Sequence, residues 1–162
     1  MLQQYLLFLK DKIPNIKLLL AGSGTLENEY KEQVKQLGVG NNIEFLGYRG
    51  DIPDLLMLSD IAVASSRREG LPVNVMEAMA TGLPLVVTDV RGHRDLVDDG
   101  ENGYVIGVND IEGFVKSIEK LHKDNELRHK LGRRGLELVQ KYSLESVLKE
   151  MELIYSKVLN CN

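Results

Sequence analysis

Residues Ile61 to Thr88 read IAVASSRREGLPVNVMEAMATGLPLVVT, a short apolar run, a polar loop, a helical stretch and a second apolar run. Ile61 to Ala64 predicts one strand and Leu85 to Thr88 another. Between them a helix is expected from about Val73 to Thr81, ended by Gly82. Strands with so little polar character are covered on both faces, which means a parallel sheet wrapped by helices.

The same alternation continues outward. Ile16 to Ala21 (IKLLLA) predicts a buried strand, turned by Gly22-Ser23-Gly24. A helix follows from about Leu26 to Leu37, with Leu26, Tyr30, Val34 and Leu37 on one stripe. Ile43 to Leu46 is a further strand, closed by Gly47. Asp51 is placed to cap a short helix with Pro53 in its first turn and Leu55, Leu56 and Leu58 facing inward. Beyond Thr88 a fifth strand is expected at Tyr104 to Ile106, then helices over about Ile111 to His122, Asn125 to Lys141 and Leu144 to Leu159. Ser143 and Ser146 offer the last helix its N-cap. The pattern predicts one Rossmann-like α/β domain, with a mostly parallel sheet and helices on both faces. Ligands of such sheets sit beyond the carboxyl ends of the strands. The loops of interest are therefore Gly22 to Thr25, Gly47 to Asp51, Ser65 to Pro72 and Thr88 to Arg94.

A length of 162 residues suits one domain, and 43% hydrophobic with 27% charged residues is ordinary globular composition. With a net charge of −4, nothing global attracts nucleic acid or an anionic membrane. Arg67-Arg68 and Arg133-Arg134 are short, interrupted basic clusters. The single cysteine, Cys161, has no partner for a disulfide and suits a reducing compartment. Tyr5 to Leu9 is apolar, but Lys10 and Asp11 follow at once, too soon for a membrane span. A cytoplasmic protein is expected.

The loop Ser65 to Pro72 carries the chemistry. Gly70 lets backbone approach a ligand with no side chain in the way. The helix starting near Pro72 offers free N–H groups and the positive end of its dipole, an anion site suited to a diphosphate. Glu69 and Glu77 bracket that start. A carboxylate accepts two O–H donors at once, at about 1.5–3 kcal/mol for a charge-assisted bond, which suits sugar and ribose hydroxyls. Taken singly, a Glu before Gly at a loop end is a solvated group, and a Glu early in a helix complements the dipole.

Together with their surroundings they say more. Glu69 and Glu77 are separated by seven residues and followed by Ala78-Met79-Ala80-Thr81-Gly82-Leu83-Pro84. Upstream stand Ala21-Gly22-Ser23-Gly24 and Phe45-Leu46-Gly47, and downstream Thr88-Asp89, Gly92 and Asp99-Gly100-Glu101-Asn102-Gly103. In order and spacing, over nearly the whole chain, this resembles the family-four retaining glycosyltransferases of the two-domain GT-B fold, in their C-terminal, donor-binding half. Glu69 to Glu77 and Thr88 to Arg94 look especially like bacterial capsule and exopolysaccharide transferases.

The resemblance implies that the intact protein moves a sugar from a nucleotide donor to a saccharide or a lipid-linked saccharide, commonly at the inner membrane face. It implies that Glu69 contacts hydroxyls of the donor sugar, with the amides of Gly70, Leu71 and Val73 near sugar and diphosphate. Glu77 would hold the ribose, Gly22 and Gly24 would line the nucleotide cleft, and Tyr48 and Arg49 would flank the base. Glu69 is the implied catalytic residue, by position rather than as a nucleophile, since front-face attack beside the leaving diphosphate is the usual proposal for the family. No metal is implied, and no Asp-x-Asp is present. His93, His122 and His129 lack ligand spacing, and Asn109 stands where a calcium loop at Asp98 would need Glu. Gly22-x-Gly24 lacks the third glycine of a dinucleotide fingerprint, and no P-loop occurs.

Family members also carry an acceptor domain, which supplies a histidine near the reacting carbon. Their donor half opens with a strand ending in Arg, with a Lys shortly after. Met1 falls where the following helix begins, so the resemblance places those parts outside residues 1–162. Arg49, Arg67 and Arg68 are the candidates to replace the lost cations. An isolated fragment is expected to bind donor weakly and transfer nothing. The alternative is a non-catalytic nucleotide-sugar-binding or assembly module, while the Glu69/Glu77 spacing argues against a GT-B-type epimerase. Loss of a central strand leaves the strands at Ile16 and Ile61 facing a gap. Two outcomes are expected: direct pairing into a sheet of about five strands, which is favoured, or self-association through that edge. A wide unfilled gap between these strands in a single chain would refute both.

Overall fold

The computed structural model describes residues 2–159. Met1 and Cys161, each carrying an expectation above, lie outside the described residues. The chain runs α1 (Leu2–Leu9), β1 (Leu18–Ala21), α2 (Glu27–Leu37), β2 (Ile43–Gly47), α3 (Ile52–Met57), β3 (Ala62–Ala64), α4 (Val73–Ala80), β4 (Leu85–Thr88), α5 (Arg91–Arg94), β5 (Gly103–Ile106), α6 (Ile111–Lys123), α7 (Asn125–Val139) and α8 (Leu144–Leu159). All strand pairs are parallel.

β4 is the centre of the larger part. Each of its four residues is buried, as expected of an apolar run sandwiched between layers. Leu85 and Val87 pack with Val75, Ala78 and Met79 of α4 and with Leu96, Val97 and Val139. Val86 points the other way, into Tyr5 and Leu9 of α1, Phe114, Val115, Ile118 and Leu121 of α6, and Leu131 of α7. β3 and β5 flank β4, with Val63 opposite Val86 and Val86 opposite Tyr104. A fully buried Leu or Phe side chain contributes about 1.5–3 kcal/mol, so this double-sided core carries most of the stability.

The smaller part is β1 paired with β2. β1 alternates half-buried and exposed residues instead of being buried throughout. Leu18 and Leu20 rest on a cluster of Leu6, Val34, Val39 and Ile43, while Leu19 stays 38% exposed. The α2 stripe is accordingly incomplete: Val34 is buried, whereas Leu26 and Tyr30 remain exposed. α1 joins the two parts. Tyr5 stacks on Phe114 with ring centroids 4.1 Å apart, and Leu6, one residue on, belongs to the cluster beneath β1.

β1 and β3 do not pair, and the expected five-stranded sheet is replaced by two sheets. A cavity of about 690 Å³ lies between them, lined by Leu18 and Leu19 on one side and Ile61, Ala62 and Val63 on the other, with Tyr5, Leu9 and Phe114 also on its wall. Direct pairing is thereby overturned, and association through a paired edge loses its support in the single chain. Tyr5 of α1, stacked on Phe114 of α6, lies on the cavity wall, so the helices that cover the sheets also line the space between β1 and β3. α3 suffers from the same opening. Leu55 and Leu56 are half-buried, but Leu58, expected to face inward, is 82% exposed. α8 has no buried residue, although Ser143 Oγ accepts from the Ser146 amide (3.2 Å) as expected of its cap.

Candidate functional site

The loop from β3 to α4 is held from below by the end of β4. Thr88 Oγ1 donates to the Ser66 carbonyl (2.5 Å), and Ser66 Oγ in turn donates to Glu69 Oε1 (2.6 Å). The half-buried Glu69 carboxylate is thus given a fixed direction. Gly70 and Leu71 follow, both exposed. Pro72 is buried in an extended conformation (φ −75°, ψ 104°) and starts α4 without any side-chain cap. The amides of Val75 and Met76 both turn back to the Pro72 carbonyl (3.2 and 3.3 Å), and those of Val73 and Asn74 precede the ladder. Glu77 lies just over one turn into α4, exposed, and its carboxylate has no partner among the described residues. The local geometry is therefore a helix start with free donors, one oriented carboxylate before it and one unengaged carboxylate after it.

The loop from β4 into α5 leans on the same place. A Cβ built on Gly92 would lie 2.5 Å from the Gly70 carbonyl oxygen and 2.9 Å from Glu69 Cβ, so only glycine permits this approach. Next to it His93 is fully buried, its Nδ1 2.8 Å from the Thr88 carbonyl. Asp89 beside them pairs with Arg94 at the surface. Spacing rules for metal ligands passed over His93. The available signal was its place immediately after Gly92 in a loop at the carboxyl end of a buried strand.

The remaining expected residues sit on the β1–β2 part. Gly22 and Gly24 are exposed, and the Gly22 amide donates to the Gly47 carbonyl (2.7 Å), tying the loops that follow β1 and β2. Tyr48 is 86% exposed just beyond β2. Arg49 is engaged within its own loop: Nε and Nη2 donate to the two carboxylate oxygens of Asp51 (2.8 and 2.5 Å). That hydrogen bonding raises the Arg49 pKa and lowers that of Asp51. Asp51 consequently makes no side-chain cap for α3, contrary to expectation. Arg67 and Arg68 are exposed beside Glu69. Close approach and bonding therefore group these residues in two sets, Glu69 and Gly70 against Gly92, and Gly22 bonded to Gly47. Among the described residues no cluster of three or more His, Cys, Asp or Glu could hold a metal ion. No helix among them is long and apolar enough to cross a membrane.

Comparison with known proteins identifies the family and the fold. The family profile described as "Glycosyl transferases group 1" matches residues 2–138. EpsD of Bacillus subtilis (strain 168), a protein named as a glycosyltransferase, is 41% identical over 152 residues, covering 94% of this chain and 40% of its own length. The lipopolysaccharide core biosynthesis glycosyltransferase LpsE of Rhizobium meliloti (strain 1021) is 34% identical over 148 residues, covering 90% of this chain and 44% of its own. The chain thus spans less than half the length of these relatives. Among solved structures, a point mutant of S. aureus TarM in complex with Fondaparinux, alpha-GlcNAc-glycerol and UDP superposes with a TM-score of 0.88 at 24% identity, over 95% of this chain and 32% of that one. At that identity the likeness establishes the fold, a Rossmann-like half of a GT-B structure.

Proposed function

The chain belongs to the glycosyl transferases group 1 family, and on that premise we propose that it is the donor-binding half of a retaining transferase that moves a sugar from a nucleotide to a saccharide or lipid-linked acceptor. The observation that carries the proposal is the start of α4, where the free amides of Val73 and Asn74 lie between Glu69 and Glu77. The helix end attracts the diphosphate. Glu69, aimed by Ser66, meets hydroxyls of the transferred sugar, with the amides of Gly70, Leu71 and Val73 nearby. Glu77, whose carboxylate is unengaged, meets the ribose. Gly22 and Gly24 line the cleft from the other sheet, and Tyr48 flanks the base. Arg49 contributes there only by releasing Asp51, whereas Arg67 and Arg68 stand beside Glu69 to meet the diphosphate. Group 1 GT-B transferases generally work without metal, and the proposed site requires none. In the intact protein, Glu69→Ala would lower turnover by mispositioning the donor.

The acceptor is assigned to the part of the longer protein outside this chain. A strand from that part, running between β1 and β3, would complete the sheet and fill the 690 Å³ cavity. The setting is cytoplasmic, with the intact protein peripheral at the inner membrane face. Without the rest, donor affinity is expected to be poor, roughly millimolar to high micromolar.

Calorimetry with UDP, GDP and their sugar-bearing forms, in the presence of chelator, tests the assignment. Glu77→Gln should weaken both nucleoside diphosphate and nucleotide-sugar. Glu69→Gln should mainly weaken the sugar-bearing ligand, about ten-fold for one charge-assisted bond. Equal losses on both ligands for both variants would overturn the division of roles, and binding only with magnesium or manganese would overturn the metal-free site. Light scattering over a concentration series reads whether the isolated chain self-associates.

A further inference from the structure

We infer that His93 is a positioning residue that sets the direction of Glu69 and Gly70 through the β4–α5 turn, an inference resting on the assignment of Glu69 to the donor sugar. His93 is fully buried, yet it belongs to a one-turn helix that contributes little of its own to the core. Its Nδ1 lies 2.8 Å from the Thr88 carbonyl oxygen. A carbonyl only accepts, so Nδ1 carries the hydrogen that joins it to Thr88. Nε2 is buried with no hydrogen-bond partner among the described residues. A buried ring retained with one nitrogen unsatisfied is a cost that an apolar side chain of similar size would avoid. The Nδ1–H bond therefore does something a hydrocarbon cannot.

What it does follows from its neighbours. His93 folds the chain back onto Thr88, the residue whose Oγ1 holds the Ser66 carbonyl while Ser66 Oγ holds Glu69. The same fold presses Gly92 against Glu69 and Gly70 so closely that a methyl group would not fit. Glu69 is thus fixed from two directions that meet at Thr88 and His93: a hydrogen-bond chain reaching its carboxylate, and a backbone wall against its Cβ. Neither direction reaches Glu77, which lies on α4 with no partner for its carboxylate among the described residues. His93 accordingly governs the sugar end of the site and leaves the ribose end alone. It touches no ligand in this arrangement, since its ring is inside the fold.

Nuclear magnetic resonance on the 162-residue chain, free of ligand, tests the geometry. In the native protein the His93 ring should carry its hydrogen on Nδ1 in slow exchange, and Gly92 Hα should show a cross-peak to Glu69 Hβ. His93→Leu, which keeps the volume and removes the donor, should abolish that cross-peak and move the Gly70 amide resonance away from its native position, while Tyr5–Phe114 cross-peaks persist. His93→Asn, whose amide can donate to Thr88, should restore both signals. A native ring protonated on Nε2, an intact Gly92–Glu69 contact in His93→Leu, or failure of Asn to rescue would overturn the inference; the ring measurement holds even if His93→Leu fails to fold. A parallel titration with UDP and UDP-glucose or UDP-N-acetylglucosamine should show His93→Leu copying Glu69→Gln, with loss mainly on the sugar-bearing ligand. If Glu69→Gln binds all ligands as the native chain does, the donor assignment has failed and this inference with it. If Glu69→Gln loses the sugar-bearing ligand and His93→Leu does not, only this inference has failed.

Discussion

The β3–β4–β5 sheet and the β1–β2 sheet come from similar sequence and end in different states. LVVT at Leu85 to Thr88 is buried on both faces, whereas LLLA at Leu18 to Ala21 is half-buried on one and exposed on the other. The difference lies in what covers them. β4 has α4 on one side and α1 with α6 on the other, and a neighbouring strand at each edge. β1 has one strand neighbour, and its other edge looks across the cavity toward β3. Apolar content earns burial only where a neighbour supplies the second surface. The two carboxylates of the proposed site stand on the well-covered half, which suits groups that must be held in place. The loops assigned to the nucleotide cleft after β1 and β2 stand on the looser half.

The comparison breaks or sharpens most clearly in the core. Met79→Ala, at a fully buried position, should cost about 2–5 kcal/mol in urea unfolding, and Leu20→Ala in half-buried β1 about 1 kcal/mol or less. Equal losses would mean that the two sheets are equally well packed. Glycines probe the same contrast at smaller amplitude. A Cβ on Gly132 would sit 1.9 Å from the Gly82 carbonyl oxygen, so Gly132→Ala must push α7 off the turn that follows α4 and should cost about 1–3 kcal/mol. Gly40, before β2, has nothing within 4 Å of its would-be Cβ, and Gly40→Ala should stay within about 0.5 kcal/mol.

The smallest expected effect tests the tie between the parts. Lys12, just after α1, pairs with Glu119 on α6, and its hydrogen bond holds the Glu119 carboxyl below the usual carboxylate range. Because the folded pKa is the lower one, the contribution is present above the ordinary glutamate range and fades as pH falls through the depressed value. Glu119→Gln should remove a slight acid-side loss of thermal stability, and salt should blunt the effect in the native chain. An identical pH profile in the variant would show that α1 is held by its apolar contacts alone.

Sequence pattern located β4 and α8 to the residue and β1, β2, β3, β5, α2, α4, α6 and α7 to within two at each end, because most are compact apolar or amphipathic runs bounded by Gly, Pro or a cap. The proposed site could be read at Glu69, Gly70 and Glu77 because the motif is continuous, and the Ser66–Glu69 bond joins residues three apart. Asp51 misled for a local reason. It has the capping residue type, but Arg49 two residues earlier offers a charged, bidentate partner and takes its carboxylate. α5 was missed because one turn of RGHR carries no period to read. His93 was missed because its partner is a carbonyl, which any residue could provide.

Residue type and spacing along the chain sufficed to determine a parallel α/β domain, the ends of the strands where a ligand would sit, and two carboxylates around a helix start. Those features rest on interactions within a few residues, and local chemistry writes them. Only the folded chain decided that β1 and β3 stay apart, that α1 bridges the two sheets through Tyr5 and Leu6, and that Gly92 and His93 close on Glu69 from 23 and 24 positions away. Each depends on which surfaces meet after collapse, and packing between distant segments leaves no periodic trace in either one.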